Sequence, residues 1–124
     1  MGSVTFRRFE DIDAWRTARK LNAETSRITK QGSLERDYGL KDQLQRAAAS
    51  VMANIAEGFC HKSDKEFARY LLTAKASALE FQSHLYVAID RESLSPEQFK
   101  ILYGQAQTCT RQLSRLISYL LKRK

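Results

Sequence analysis

The chain has 124 residues, 43% of them hydrophobic and 28% charged, the composition of one soluble domain with its own core. A formal net charge of +7 and a pI near 9.6 suit a polyanionic partner: RNA, DNA or an acidic protein surface. Two cysteines and no apolar run of bilayer length exclude a disulfide scaffold and a helical membrane protein.

One proline and five glycines, against many Ala, Leu, Gln, Lys, Arg and Glu, predict helix throughout. Residues 1–9 read as an extended basic lead-in, with Arg7 and Arg8 between Phe6 and Phe9. The first helix is predicted from about Asp11 to about Lys30. Ile12, Trp15, Ala18, Leu21, Thr25 and Ile28 form its inner face; Arg16, Lys20, Arg27 and Lys30 fall on the opposite side. Gln31 to Arg36, with Gly32 and Ser33, reads as a loop.

The second helix is predicted from about Tyr38 to about Phe59, with Leu40, Leu44, Ala47, Val51 and Ile55 as its apolar face. Gln43, Arg46, Ser50, Asn54 and Glu57 make an adjacent polar row in a run of small residues, which lets another helix come close. Two readings stand: a packed seam whose polar groups hydrogen-bond to a neighbouring helix, or the ordinary polar face of a surface helix. Gly58 reads as a left-handed stop.

Ser63-Asp64-Lys65-Glu66 is a capping box opening a third helix that runs to about Ile89. Its seam is Phe67, Leu71, Ala74, Ala78, Phe81, Leu85 and Ala88. After a connection at Asp90 to Ser93, Ser95 caps the fourth helix, Pro96 takes its first position and Gln98 completes a second capping box. Phe99, Leu102, Ala106, Cys109, Leu113, Leu116 and Leu120 form its seam, and the helix is predicted to run almost to Lys124. Four helices on short connections predict an all-α, antiparallel up-down-up-down four-helix bundle, residues 1–124 being one domain. Tyr70, Leu72, Tyr86, Val87, Ile101, Tyr103, Ile117, Tyr119 and Leu121 lie off the seams; clustered, such residues mark subunit contacts.

Chemistry-bearing constellations are missing. Glu80 precedes His84 by four residues instead of the three of a di-iron pair, and no second pair exists. Cys60-His61 has no partner pair at zinc spacing. Ser50, Asn54 and Glu57 share a face but include no histidine, and Gly58 is an isolated glycine instead of a phosphate loop. The expectation is a non-enzymatic protein with no cofactor and no metal. Cys60 and Cys109 are expected as reduced thiols in a cytoplasmic protein without a signal peptide. Met1-Gly2 does not make a myristoylation signal, because position six is Phe6.

After Glu97 the chain has Lys100, Arg111, Arg115, Lys122, Arg123 and Lys124 and no acid. Arg111, Arg115, Ser118 and Lys122 form a stripe about 200° around the helix from the seam, at about 100° per residue. Arg111, Arg115, Lys122 and Arg123 are the leading candidate nucleic-acid contacts, with Arg16, Lys20 and Arg27 second. The plainer alternative is a solvated basic face.

Tyr38-Gly39-Leu40, the run Gln43-Leu44-Gln45-Arg46-Ala47-Ala48-Ala49-Ser50-Val51, and Asn54-Ile55-Ala56-Glu57-Gly58 resemble the hallmark of a bacterial family. Its members are the four-helix-bundle proteins of intervening sequences in 23S ribosomal RNA genes. Phe9-Glu10-Asp11, Trp15, Glu66-Phe67, Arg69-Tyr70-Leu71 and Ala74 also match, so the resemblance covers nearly the whole chain. One departure is Ala76-Ser77, where the family usually has Gly-Ser. The resemblance implies a ring-shaped homopentamer. It also points toward the accessory proteins of diversity-generating retroelements, a distant branch in which a basic pentamer engages a reverse transcriptase and its RNA template. The alternative within the family is a protein–protein scaffold whose basic stripes meet an acidic protein surface.

Overall fold

The computed structural model describes residues 6–123. Residues 1–5 of the expected lead-in, and Lys124, lie outside them. Among the described residues the fold is all-α, with four long helices and no strand: α1 (Asp13–Ile28), α2 (Tyr38–Phe59), α3 (Asp64–Asp90) and α4 (Pro96–Lys122).

The first helix is shorter than its periodicity suggests, for local reasons at both ends. The Asp11 carboxylate accepts the backbone N–H groups of Arg7 (3.1 Å) and Arg8 (3.3 Å), which closes Phe9–Asp11 into a separate 3-10 turn. At the far end the Thr29 hydroxyl donates to the Thr25 carbonyl at 2.8 Å, and α1 stops at Ile28. Gln31 to Arg36 is not an open loop. Gly32, at φ +59, starts a 3-10 helix over Gly32–Arg36 that sinks Leu34 into the core.

The caps of the later helices follow their sequence. Ser95 and Gln98 bond reciprocally, each at 3.0 Å, with Pro96 inside the first turn of α4. Ser63 accepts the Glu66 N–H at 3.2 Å, but only half of the expected capping box forms. The Glu66 carboxylate turns to the Arg69 guanidinium instead (2.9 Å), where a cationic donor takes the place of a neutral backbone N–H. Asp37 caps α2, and its second oxygen accepts Arg91 Nη1 at 2.8 Å, joining the start of α2 to the residue after α3.

Each helix packs against its chain neighbours, and α4 also packs on α1. All seven seam residues of α3 are buried. On α4, Ile117 is buried at 8% exposure although it lies off the seam, while Leu116 and Phe99 are only partly covered. One part of the core gathers Ile12, Val51, Ile55, Leu71, Cys109 and Leu113; the other gathers Leu21, Leu34, Leu44, Phe81, Leu85 and Leu102. Burial pushes the Cys109 thiol up to about 12. Cys60 is exposed, and both thiols are free.

Gly58 is not the left-handed stop its position suggests. It sits inside the last turn of α2, which ends at Phe59, and it has no positive φ. Its role is steric. A Cβ built there would stand 2.6 Å from Tyr70 Cβ, 3.1 Å from Phe67 Cδ1 and 3.3 Å from the Phe67 carbonyl oxygen. The Tyr70 Cβ is fixed to the α3 backbone, so no rotamer change relieves the clash; α2 and α3 would have to part.

Gly58→Ala is therefore expected to destabilise the fold by about 1–3 kcal/mol through overpacking. Gly104, inside α4 with nothing within 4 Å of its Cβ position, is the control: Gly104→Ala should stabilise by about 0.5–1 kcal/mol. Urea unfolding midpoints measure both. Equal effects at the two sites would remove the steric account of Gly58.

Candidate nucleic-acid interface

The heptad register of α4 fixes where its cations go. With Leu102, Ala106, Cys109, Leu113 and Leu120 held in the core, Arg111, Arg115, Ser118 and Lys122 come out exposed along one side. Arg111 and Arg115 line an open groove with Gln107, Thr110 and Ser114 of α4 and Lys75 and Leu79 of α3. Among the described residues, Arg111, Arg115, Lys122 and Lys75 have no carboxylate partner. Lys20 on α1 is equally exposed and unpaired, but it is not part of this groove's lining.

The other three candidates are compensated. Arg123 donates from Nε and Nη2 to Asp64 (2.5 and 3.0 Å), donates from Nη1 to the Tyr119 hydroxyl (3.1 Å), and lies 5.2 Å over the Tyr119 ring. It is a clasp between the end of α4 and the start of α3. Its hydrogen bond holds the Asp64 carboxyl below the usual range, and the same bond raises the Arg123 pKa. Arg16 donates to the Glu10 carbonyl at 2.8 Å and pairs with Asp13. Arg27 forks onto Glu24 at 2.9 and 3.1 Å, which lowers the Glu24 pKa. Each of these charges is already spent within the fold, which weakens it as a phosphate contact.

The polar row divides in the middle. Ser50 and Ser77 share a hydroxyl–hydroxyl bond of 2.9 Å between α2 and α3, with Ser77 only 8% exposed. Asn54 Nδ2 donates to the Ser50 carbonyl (2.9 Å) and hydroxyl (3.1 Å). Gln43, Arg46 and Glu57 are exposed instead of packed in a seam. Arg46 pairs with Asp42 of its own helix at 3.7 Å, and Glu57 makes no side-chain bond among the described residues. Only Ser50 reaches across to α3, through Ser77, and Asn54 bonds back to Ser50 of its own helix. Gln43, Arg46 and Ser50 line an open polar cleft with Asp42 and Glu80. Ala76 is exposed, so the glycine that usually precedes the serine is not needed for helix contact here.

Sequence reasoning missed Lys75 and Leu79 as neighbours of Arg111 and Arg115. Their signal was the spacing of Leu72, Leu79 and Tyr86, seven residues apart on the outside of α3. His84 Nε2 lies 3.5 Å from Glu80, without hydrogen-bond geometry. Among the described residues no group of three or more His, Cys, Asp or Glu is placed to hold a metal, and no helix is long and apolar enough to cross a membrane.

Residues 10–115 match the family model described as 23S rRNA-intervening sequence protein. The chain belongs to this family. A solved structure shares the fold: a protein of unknown function from the S23 ribosomal protein family of Bacteroides thetaiotaomicron, with TM-score 0.78 and 21% identity, covering 84% of this chain and 97% of that one. No curated protein matches the chain. In this chain the hallmark run supplies the Ser50 side of the Ser50–Ser77 bond and the Gly58 contact, so the motif is read out as α2–α3 packing.

The Arg123–Asp64 clasp has a pH signature. The Asp64 carboxyl sits below its ordinary value of 3.8 in the fold and returns to it on unfolding. The pair therefore stabilises the fold fully above about pH 4 and loses that effect as pH falls through the lowered value. Asp64→Asn should lower the melting temperature at pH 6, and the gap from the parent should narrow progressively as pH falls below about 4. A gap that persists unchanged in acid would assign the effect to packing instead.

Proposed function

We propose that this chain is a non-enzymatic basic adaptor that binds structured RNA, or DNA, through phosphate contacts on α4. The observation that carries this reading is the exposed, acid-free stripe of Arg111, Arg115 and Lys122. A phosphate contact needs a cation that is not already paired, because the gain comes from releasing counterions held on the polyanion. Lys20 is the remaining unpaired candidate on α1; Arg16, Arg27 and Arg123 are secondary. Recognition is electrostatic, following backbone and shape, since the sequence carries no RNA-recognition, KH or helix-turn-helix signature.

The proposed assembly is one domain in an antiparallel up-down-up-down bundle, joined into a ring-shaped homopentamer in the cytoplasm. The closed circuit of helix contacts, α1 to α2 to α3 to α4 and back to α1, supports the bundle. Family membership and the exposed apolar residues Ile101 and Leu121 support the assembly. Repeating the stripe around a ring turns weak contacts into avidity. A role beside a reverse transcriptase, as an accessory protein of a diversity-generating retroelement, follows the resemblance of the hallmark motif; an adjacent reverse transcriptase gene is the observation that tests it. The second reading, a protein scaffold, is favoured by the apolar row on α3.

Titration with a structured RNA and a DNA duplex at about 50 and about 200 mM salt tests the proposal. Binding should weaken steeply with salt. Arg111→Glu/Arg115→Glu should weaken it by roughly tenfold or more, with the mass by light scattering unchanged. No binding at low salt by the intact assembly would leave the scaffold reading in place.

A further inference from the structure

The outer side of α3 carries a second heptad row beside its core seam. Leu72, Leu79 and Tyr86 are 50%, 53% and 51% exposed, and they stand seven residues apart. Seven residues advance a helix by about 10.5 Å and nearly two turns, so the three lie on one line about 21 Å long. Exposed Ala76 and Ser83 fall between them at alternating steps of four and three. The core seam runs separately through Phe67, Leu71, Ala74, Ala78, Phe81, Leu85 and Ala88, so folding does not account for the outer row. Single exposed leucines are ordinary, but three large apolar residues in one register form a patch.

The ends and edges of the row have definite chemistry. Tyr86 is held edge-on against Phe99 (5.1 Å between centroids) and Tyr103 (5.8 Å), while Phe99 and Tyr103 stack at 5.3 Å. That end is a fixed aromatic platform. At its middle, Leu79 opens into the groove edged by Lys75, Arg111 and Arg115. The row is therefore apolar along its length and cationic along the flank toward α4.

We infer that this row is the docking site for an acidic amphipathic helix of a second protein. Apolar side chains of that helix, spaced three and four residues apart, would cover Leu72, Leu79 and Tyr86, and its Asp or Glu residues would reach Lys75, Arg111 and Arg115. Charge selects the occupant. Another copy of this chain carries a net +7, and of the nine acids on its four helices five, Asp13, Glu24, Asp42, Asp64 and Glu66, are already paired with arginines. A nucleic acid would meet the arginines and leave the apolar line uncovered. The inference rests on the adaptor reading for its need of a protein partner, and does not assume that RNA binds.

The test uses the intact chain and a fluorescent synthetic peptide of about four heptads, with Leu at the a and d positions and Glu at e and g. A control peptide carries Lys in place of Glu. Anisotropy titrations should show saturable binding of the glutamate peptide and binding of the lysine peptide at least tenfold weaker. Leu72→Ser/Leu79→Ser should weaken the glutamate peptide at least tenfold with its circular dichroism, melting and RNA affinity unchanged. Arg111→Glu/Arg115→Glu should reverse the preference between the peptides. No binding of the glutamate peptide, equal binding of the two peptides, or equal binding by the leucine variant overturns the proposal. So does a fall in the assembly's mass in the leucine variant, which would make the row a contact between copies. Peptide binding without RNA binding would sink only the phosphate reading.

Discussion

Everything in this molecule depends on how closely α2 can lie against α3. At one point the approach allows no side chain at all: Gly58 faces Tyr70 Cβ and Phe67. Two turns earlier it is set by a bond between two short hydroxyl side chains, Ser50 and Ser77. A glycine inside a helix costs about 0.5–1 kcal/mol relative to alanine, so its place here needs a compensating gain. The gain is contact: with α2 and α3 drawn together, Val51 and Ile55 share one core with Leu71 and Ala74. Buried hydroxyls need partners, and these two satisfy each other.

Much of this architecture is legible in the chain. The heptad spacing of α3 named all seven of its buried seam residues, because packing enforces that period. The start of α4 at Ser95 and Pro96 was readable because its cap is local chemistry. What escaped were choices between competing partners. Glu66 could close a capping box or pair with Arg69, and the sequence contains both options. Asp11 could begin a helix or cap a 3-10 turn before it. Gly58 looked like a stop because nothing in its own helix reveals that Tyr70 stands opposite.

The candidate site shows the same division. Charge count and helical spacing placed Arg111, Arg115 and Lys122 on an open surface. They could not show that Arg123 is consumed by Asp64, 59 residues away in the chain. Nor could spacing show that Ser50 alone of the polar row bonds across to α3 while Gln43, Arg46 and Glu57 lie exposed. Formal charge therefore overstates the cationic surface, and the effective part is the set of cations that no carboxylate in the fold reaches.

The two long-range clasps, Asp37 with Arg91 and Asp64 with Arg123, share a geometry. Each acid stands at the beginning of a helix, where the backbone dipole is positive, and each arginine stands just past the end of one, where it is negative. Every clasp thus quiets two dipoles at once. It also acts as a ruler. An extra residue anywhere inside α3 would turn everything beyond it by about 100° and advance it by about 1.5 Å, carrying Arg91 away from Asp37. The length of α3 is thereby measured at both ends, so its surface residues can change with far less consequence than its residue count.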